Sequence, residues 1–172
     1  LDMPILFTEF GADAFNVITN EEDQEMQAFY ILENWKEIYQ NAAGLGKSGN
    51  AIGGFTFQFS DGWWKYQQTK NLDVHDNNAS WSNRGYHLDI EGSNNNMNEE
   101  WFGVCAKGPT NSKGLYALYP RAAYFALQEV HQLNPFLKEI NLTIISEHFK
   151  KIRLKTHILK AKEQKESLLK DE

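Results

Sequence analysis

The chain opens on a short apolar run. Residues 4–13, PILFTEFGAD, predict a strand in which Phe7 and Glu9 share one face while Leu6 and Phe10 share the other. A strand this apolar should bury its side chains, and burying an ionised carboxylate is costly unless the group is paired or used in function. Glu9 is therefore the first residue whose position needs an explanation.

The next segment predicts a long amphipathic helix. Thr19 and Glu22 form a capping-box pattern at its start, and Gly44 and Gly46 are typical of its end. The apolar positions between them recur at helical spacing and are Ala28, Ile31, Leu32, Trp35, Ile38, Tyr39 and Ala42.

A second strand and a second helix follow the same pattern. Residues 51–60, AIGGFTFQFS, alternate as a strand with three phenylalanines on one face. Residues 118–135 predict a helix with Pro120 in its first turn and the Asn-Pro at 134–135 as its stop. The order strand, helix, strand, helix predicts an α/β fold with parallel strands joined by helical crossovers.

Between the second strand and the second helix, residues 61–114 are rich in Asn, Asp, Gly and Ser. Loops this long inside a compact unit are usually functional or disordered. The segment holds four of the five tryptophans, which favours function over disorder: Trp63, Trp64, Trp81 and Trp101. For Trp81 and Trp101 two roles stay open, packing within the loop or contact with a ligand.

The last segment has a different charge from the rest. Residues 138–172 carry a net charge of +3, against −9 for residues 1–137. We therefore divide the chain into a main region, 1–137, and a charged helical extension or linker, 138–172. A weak apolar stripe leaves a partner-binding coiled coil as the alternative and consists of Ile145, Phe149, Ile152, Thr156 and Leu159.

Composition excludes several classes of function. The net charge of −6 gives no sign of nucleic acid or an anionic membrane surface as partner. No run approaches the roughly 20 apolar residues of a membrane span. The single cysteine, Cys105, excludes an internal disulfide and predicts a small buried side chain. The oxygen-rich stretches 73–80 and 91–100 lack EF-hand spacing, and the histidines are scattered, so no metal and no cofactor are predicted.

Chemistry-bearing residues follow both predicted strands. Parallel barrels and doubly wound sheets build their active sites at the carboxyl ends of the strands. Glu9 lies at that point of the first strand, and Asp61, Trp63 and Trp64 follow the second. A carboxylate beside indole rings is typical of a carbohydrate site. Glu9 could instead pair with one of the three arginines, and Asp61 could bond a sugar hydroxyl or cap the loop.

These motifs resemble a known family. PILFTEFGADAFN, a helix and then GGFTFQFSDGWWK are similar to the last two βα units of the catalytic (β/α)8 TIM barrel of retaining glycoside hydrolases, with family 2 and its clan relatives as the nearest match. The similarity covers about residues 3–136. It implies that Glu9, in the T-E-F-G stretch, is the nucleophile, and that Trp63 or Trp64 lines the sugar subsite.

The resemblance implies hydrolysis of O-glycosidic bonds in a carbohydrate by a retaining double displacement. A complete barrel takes eight strands, so we expect an incomplete barrel whose acid/base residue lies in missing upstream segments of the same parent chain. The chain starts at Leu1 with no signal-peptide pattern, which leaves the compartment open, with an extracellular or periplasmic location compatible. The alternatives are a non-catalytic carbohydrate-binding fragment, a transglycosylase of the same clan, and a helical assembly piece.

Overall fold

The computed structural model describes residues 3–16, 19, 21–62 and 99–170. The strands in chain order are β1 (Ile5–Phe10), β2 (Phe15–Asn16), β3 (Glu21–Glu22), β4 (Ala51–Thr56), β5 (Cys105–Thr110) and β6 (Tyr116–Pro120). The α-helices are α1 (Gln24–Gln40), α2 (Ala122–Val130), α3 (Leu142–Lys151) and α4 (Leu154–Lys170), and a short 3-10 turn covers Glu99–Trp101.

β1 and β4 pair in parallel, with α1 as the crossover between them. Phe7 lies opposite Gly54 and Phe10 opposite Thr56. The predicted parallel pair with a helical connection is therefore confirmed. Two antiparallel pairs, β2–β3 and β5–β6, complete the sheets, so every sheet within the described residues has two strands. That these elements are the last two βα units of a (β/α)8 barrel stays a prediction.

Helix α1 begins later than its sequence pattern predicts. Its N-cap is Asp23, whose carboxylate accepts a hydrogen bond of 2.9 Å from the Met26 amide. The predicted capping box of Thr19 and Glu22 is wrong, because Glu22 lies in β3, where it pairs with Phe15. The predicted apolar stripe is confirmed, since its members are buried: Ala28, Ile31, Leu32, Trp35, Ile38, Tyr39 and Ala42.

β4 ends at Thr56, four residues before the predicted boundary, because its continuation changes partner. The Phe57 amide still donates to the Phe10 carbonyl at 2.7 Å. The Gln58 amide then donates to the Phe102 carbonyl at 3.2 Å, and the Cys105 amide to the Phe59 carbonyl at 2.9 Å. The chain thus leaves β1 and joins the segment that leads into β5.

The β5–β6 hairpin lies where the sequence predicts a loop and the start of a helix. Asn111 stabilises its turn, since the side-chain oxygen accepts from the Lys113 amide at 2.9 Å and the Leu115 amide at 3.1 Å. Pro120 ends β6 and is not in a helical turn, and Arg121 occupies the N-cap position of α2. α2 also ends at Val130, before the predicted Asn-Pro stop.

The region from residue 138 onward packs into the main core. Ile145, Phe149 and Ile152 are buried in one cluster with residues of α1 and α2. Thr156 and Leu159, the other members of the predicted stripe, are exposed, because the break between α3 and α4 changes the helical phase. α4 packs on α2 and β6, with its Ala161 buried. The interpretation of this region as a solvated extension or linker does not describe the helices at least as far as residue 161.

Ile145→Ala tests this packing. We expect the change to lower the free energy of unfolding by about 2–3 kcal/mol, since Ile145 is fully buried but α3 lies at the margin of the core and can relax. Urea unfolding followed by circular dichroism measures it. The control, Leu159→Ala, removes a side chain that is 61% exposed and should cost less than about 0.5 kcal/mol. Equal effects of the two variants would contradict the packing.

The β1–β4 pair leaves apolar side chains on both faces of β1 exposed to solvent. Its exposed members are Ile5, Leu6, Phe7, Ile52 and Phe55. Within the described part of the chain, no helix is long and apolar enough to cross a membrane.

Candidate functional site

Glu9 lies one residue before the end of β1, on the face turned away from α1. Its neighbour Phe10 packs edge-on against Trp35 of α1 at 5.4 Å between ring centroids, so strand alternation places Glu9 on the opposite side. Trp35 also donates from Nε1 to Thr56 Oγ1 at 2.8 Å, which holds α1 on the same face of β4.

The Glu9 side chain is exposed, and it has no hydrogen-bond or ion-pair partner among the described residues. The expectation that β1 buries its side chains is therefore wrong in this chain, because β4 is the one strand beside it in the described part. Neither of the described arginines, Arg121 and Arg153, pairs with Glu9, and Arg84 lies outside the described residues. The Glu9 carboxylate is exposed to solvent.

Asp61 lies five residues beyond the end of β4, and it is buried. Its two oxygens accept from Arg121, at 2.6 Å from Nη1 and 2.8 Å from Nη2. One oxygen also accepts from the Gly103 amide at 2.9 Å. These contacts anchor residues 101–107 beside the end of β4 and agree with the loop-capping role of the two that the sequence leaves open, while binding of a sugar hydroxyl by Asp61 stays a prediction.

Arg121 joins Asp61 to a second carboxylate. Its Nε donates to Glu22 Oε1 at 2.6 Å, while the guanidinium itself is only 1% exposed as a side chain. Burial disfavours the charged forms of both groups. The Arg121 charge and hydrogen bonds outweigh burial at Glu22 and lower its pKa, and the two carboxylates likewise raise the pKa of Arg121. The three side chains form an ion-paired network at the base of the loops.

Gln27 of α1 is a second fully buried polar side chain in this region. Its Nε2 lies within hydrogen-bond distance of three carbonyl oxygens, those of Ala12 at 3.1 Å, Trp101 at 3.2 Å and Gly103 at 3.1 Å. Ala12 belongs to the loop that follows β1. Gln27 therefore ties that loop to the segment that Asp61 and Arg121 hold.

Two glycines allow the backbones to come this close. A Cβ atom on Gly11 would overlap the carbonyl oxygen of Phe57. A Cβ atom on Gly103 would overlap the Asp61 amide nitrogen and lie 2.5 Å from the Cys105 carbonyl oxygen. A side chain at position 11 would force the loop after β1 away from Phe57, and a side chain at position 103 would force the segment before β5 away from Asp61.

Gly103→Ala should therefore be costly. All three of its close neighbours are backbone atoms that cannot rotate away, so we expect a loss of about 1–3 kcal/mol in unfolding free energy. Chemical denaturation measures this loss. Gly46→Ala is the matched control, because nothing lies within 4 Å of a Cβ at that position and the change should be neutral or slightly stabilising. A neutral Gly103→Ala would disprove the close approach.

The four tryptophans of residues 61–114 divide into two groups. Trp101 is half-buried, stacks on Phe15 at 4.8 Å between ring centroids, and lies 5.5 Å from the Arg121 guanidinium carbon. Its observed contacts are packing contacts, and a role in binding substrate stays a prediction. The other three, Trp63, Trp64 and Trp81, lie outside the described residues.

Cys105 is buried at the start of β5, as predicted. Burial, the largest influence, raises the pKa of its thiol to about 11, so very little thiolate exists at neutral pH. Within the described ranges, no group of three or more His, Cys, Asp or Glu side chains is arranged to hold a metal ion.

Sequence reasoning missed the three side chains that organise this region: Arg121, Gln27 and Glu22. Gln27 does carry a signal, because it lies four residues before Ile31 and so belongs to the buried stripe of α1. A polar residue in such a stripe must find internal partners. Arg121 and Glu22 are far apart in the chain, and no local pattern joins them.

Comparison of the chain with protein-family models, with curated proteins and with solved structures found no match.

Proposed function

We propose that this chain forms the last two βα units of a retaining glycoside hydrolase barrel and supplies its nucleophile, Glu9. The observation that carries the proposal is an exposed carboxylate at the carboxyl end of a strand in a parallel βαβ unit. Active sites of parallel α/β folds lie at that edge. The T-E-F-G stretch and its resemblance to the clan motif support the same role.

In the proposed reaction, a Glu9 oxygen attacks the anomeric carbon, the bond to the leaving oxygen breaks, and a glycosyl-enzyme forms. A second carboxyl group, outside this sequence, protonates the leaving oxygen. The same group then removes a proton from water, which attacks the anomeric carbon and releases Glu9. Retaining enzymes hold the two carboxyl groups roughly 5–5.5 Å apart, so missing barrel segments must bring the second one to the exposed face of β1.

The other residues take separate roles in this proposal. Trp63 or Trp64, which follow Asp61 closely in the chain, stacks on the substrate sugar. Asp61 is committed to Arg121 and the Gly103 amide, and it holds the loop in place. The identity of the sugar depends on residues from the missing strands.

Covalent labelling tests the proposal in the full-length protein. We expect one of a panel of activated 2-deoxy-2-fluoroglycosides of glucose, galactose, mannose and xylose to inactivate the enzyme. Peptide mass spectrometry should then find a single adduct on Glu9. Sugar binding without an adduct would favour the non-catalytic carbohydrate-binding fragment. An adduct that is discharged faster by added sugar than by water would favour the transglycosylase.

A further inference from the structure

Gln27 and Arg121 come from different elements and meet at the same two acceptors. Gln27 projects from the first turn of α1, and Arg121 precedes α2. Both side chains donate to the carbonyl oxygens of Trp101 and Gly103, with Arg121 Nη1 at 2.7 Å from the Gly103 oxygen and 3.5 Å from the Trp101 oxygen. We call this pair the polar clamp.

From these shared acceptors, the polar clamp reaches both loops that leave the parallel strands. Gln27 binds the carbonyl of Ala12, three residues after Glu9. Arg121 binds Asp61, five residues after the end of β4. The clamp is therefore a direct side-chain connection between the loop that follows Glu9 and the loop that follows β4.

Two backbone amides, one in each arm of this connection, donate hydrogen bonds whose protection can be measured. The Ala14 amide, in the loop after β1, donates to the Trp101 carbonyl at 3.0 Å. The Gly103 amide donates to Asp61 Oδ1 at 2.9 Å. Each amide should stay protected from exchange only while its own loop is held in place.

Polar groups suit such a task better than apolar packing. A carboxamide and a guanidinium donate along fixed directions. A buried donor that loses its acceptor destabilises the fold by the full desolvation penalty of that donor, so the hydrogen bonds are kept. Apolar side chains in the same space would fill volume but would allow the loops to slide past one another. The geometry therefore constrains where the end of β1 lies relative to β4.

We propose that Gln27 and Arg121 are positioning residues that set the attack geometry of Glu9, a role that rests on the proposed function. They do not touch substrate. They act through Ala12, Gly103 and Asp61 on the position of the strand end that carries the nucleophile. A displacement of about 1 Å at a reacting group can slow a reaction by roughly 10²-fold, so the chemical step should respond more than binding.

The test compares two variants. Gln27→Met keeps the side-chain length but removes the amide N–H donors, and Arg121→Lys keeps the charge but removes the planar guanidinium that donates to two groups at once. The controls are Gln164→Met and Arg153→Lys, both at exposed positions. The full-length proteins are treated with the fluoroglycoside that labels wild type fastest, and the rate constant of inactivation is separated from the inhibition constant. Hydrogen exchange of the Ala14 and Gly103 amides is measured on the same samples.

We expect the inactivation rate constant to fall by at least about tenfold in both clamp variants, with the inhibition constant of Gln27→Met within about threefold of wild type. Ala14 should exchange faster in Gln27→Met, and Gly103 in Arg121→Lys, while both controls match wild type. If one clamp variant does not fold, the proposal is tested with the other variant alone.

The possible failures are distinguishable. Wild type that no probe labels would overturn the proposed function, and the positioning role with it. Labelled wild type together with an unchanged rate constant in the clamp variants would overturn the positioning role alone. Unchanged exchange of Ala14 and Gly103 would show that the clamp does not hold the loops.

Discussion

Replacing Glu9 with Gln is expected to lower kcat of the full-length protein to below about 1% of the wild-type value, because an amide cannot form the glycosyl-enzyme. The change keeps the size of the side chain and removes only its charge. Glu9 is exposed and has no internal partner among the described residues, so its loss leaves no buried group unpaired. Turnover of an activated aryl glycoside measures the effect.

The fold of the Glu9→Gln protein should be intact, with a free energy of unfolding within about 0.5 kcal/mol of wild type. Glu147→Gln is the matched control, an exposed glutamate on α3, and it should keep full activity. A Glu9→Gln protein that retains more than a few per cent of wild-type activity would rule out Glu9 as the nucleophile. Equal losses in both variants would point to a general effect of charge.

Arg121→Met is expected to lower the free energy of unfolding by about 3–5 kcal/mol at neutral pH, the largest stability effect that we predict. The change removes the cation from the buried Asp61 and from Glu22 and leaves both carboxylates without their shared cation. The carbonyls of Trp101 and Gly103 also lose a donor. Urea unfolding at pH 7 measures the loss.

Arg153→Met is the control for the arginine substitution. Arg153 lies exposed at the junction of α3 and α4, and its replacement should change the free energy of unfolding by less than about 0.5 kcal/mol. If Arg121→Met lowered the free energy of unfolding by less than about 1 kcal/mol, the ion-paired network would contribute little to stability. In that case the desolvation of the three charged groups would offset their attraction.

The pH dependence of stability provides an independent check. In the wild type, the pKa of Glu22 is below its usual value of 4.5, so its stabilising contribution is present above that value and is lost as the pH falls through the lower folded pKa. Without the guanidinium, burial remains as the main influence and raises the pKa of Glu22. As the pH falls, the stability difference between wild type and Arg121→Met should therefore begin to narrow above pH 4.5, at the raised pKa of Glu22 in the variant, and continue to narrow down to the lowered pKa of Glu22 in the wild type. A difference that is constant from pH 7 to pH 3 would contradict this ionic origin.

The elements that sequence patterns predicted best are those with a long or regular period. The apolar stripe of α1 runs over several turns, and β1 and β4 are short apolar runs on either side of it. Parallel strands need a crossover of about a dozen residues or more, and α1 provides a connection of that length. The patterns failed at boundaries, where tertiary partners decide. Glu22 pairs with Arg121 and does not form the predicted capping box. β4 ends where the chain changes partner, since the Gln58 amide donates to the Phe102 carbonyl.

The chain between β4 and α2 shows the same limit more strongly. The alternation in Tyr116–Pro120 is too short to separate a strand from the first turn of a helix, and Pro120 fits both. Pairing with β5 makes the segment a strand. Likewise, the charge of residues 138–172 indicated a solvated segment, but burial of Ile145 and Phe149 depends on the surface that α1 and α2 present.

The sequence by itself determined the parallel βαβ unit, the position of Glu9 at a strand end, and the burial of Cys105, because each follows from local periodicity or composition. Only the tertiary structure decided that Glu9 is exposed and Asp61 buried, since two acidic residues after apolar strands look alike in sequence. Arg121 makes the difference between them. Arg121 is 60 residues from Asp61 along the chain, so no local sequence pattern indicates that the two side chains pair. The ion pair forms only where the folded backbone brings α2 to the end of β4.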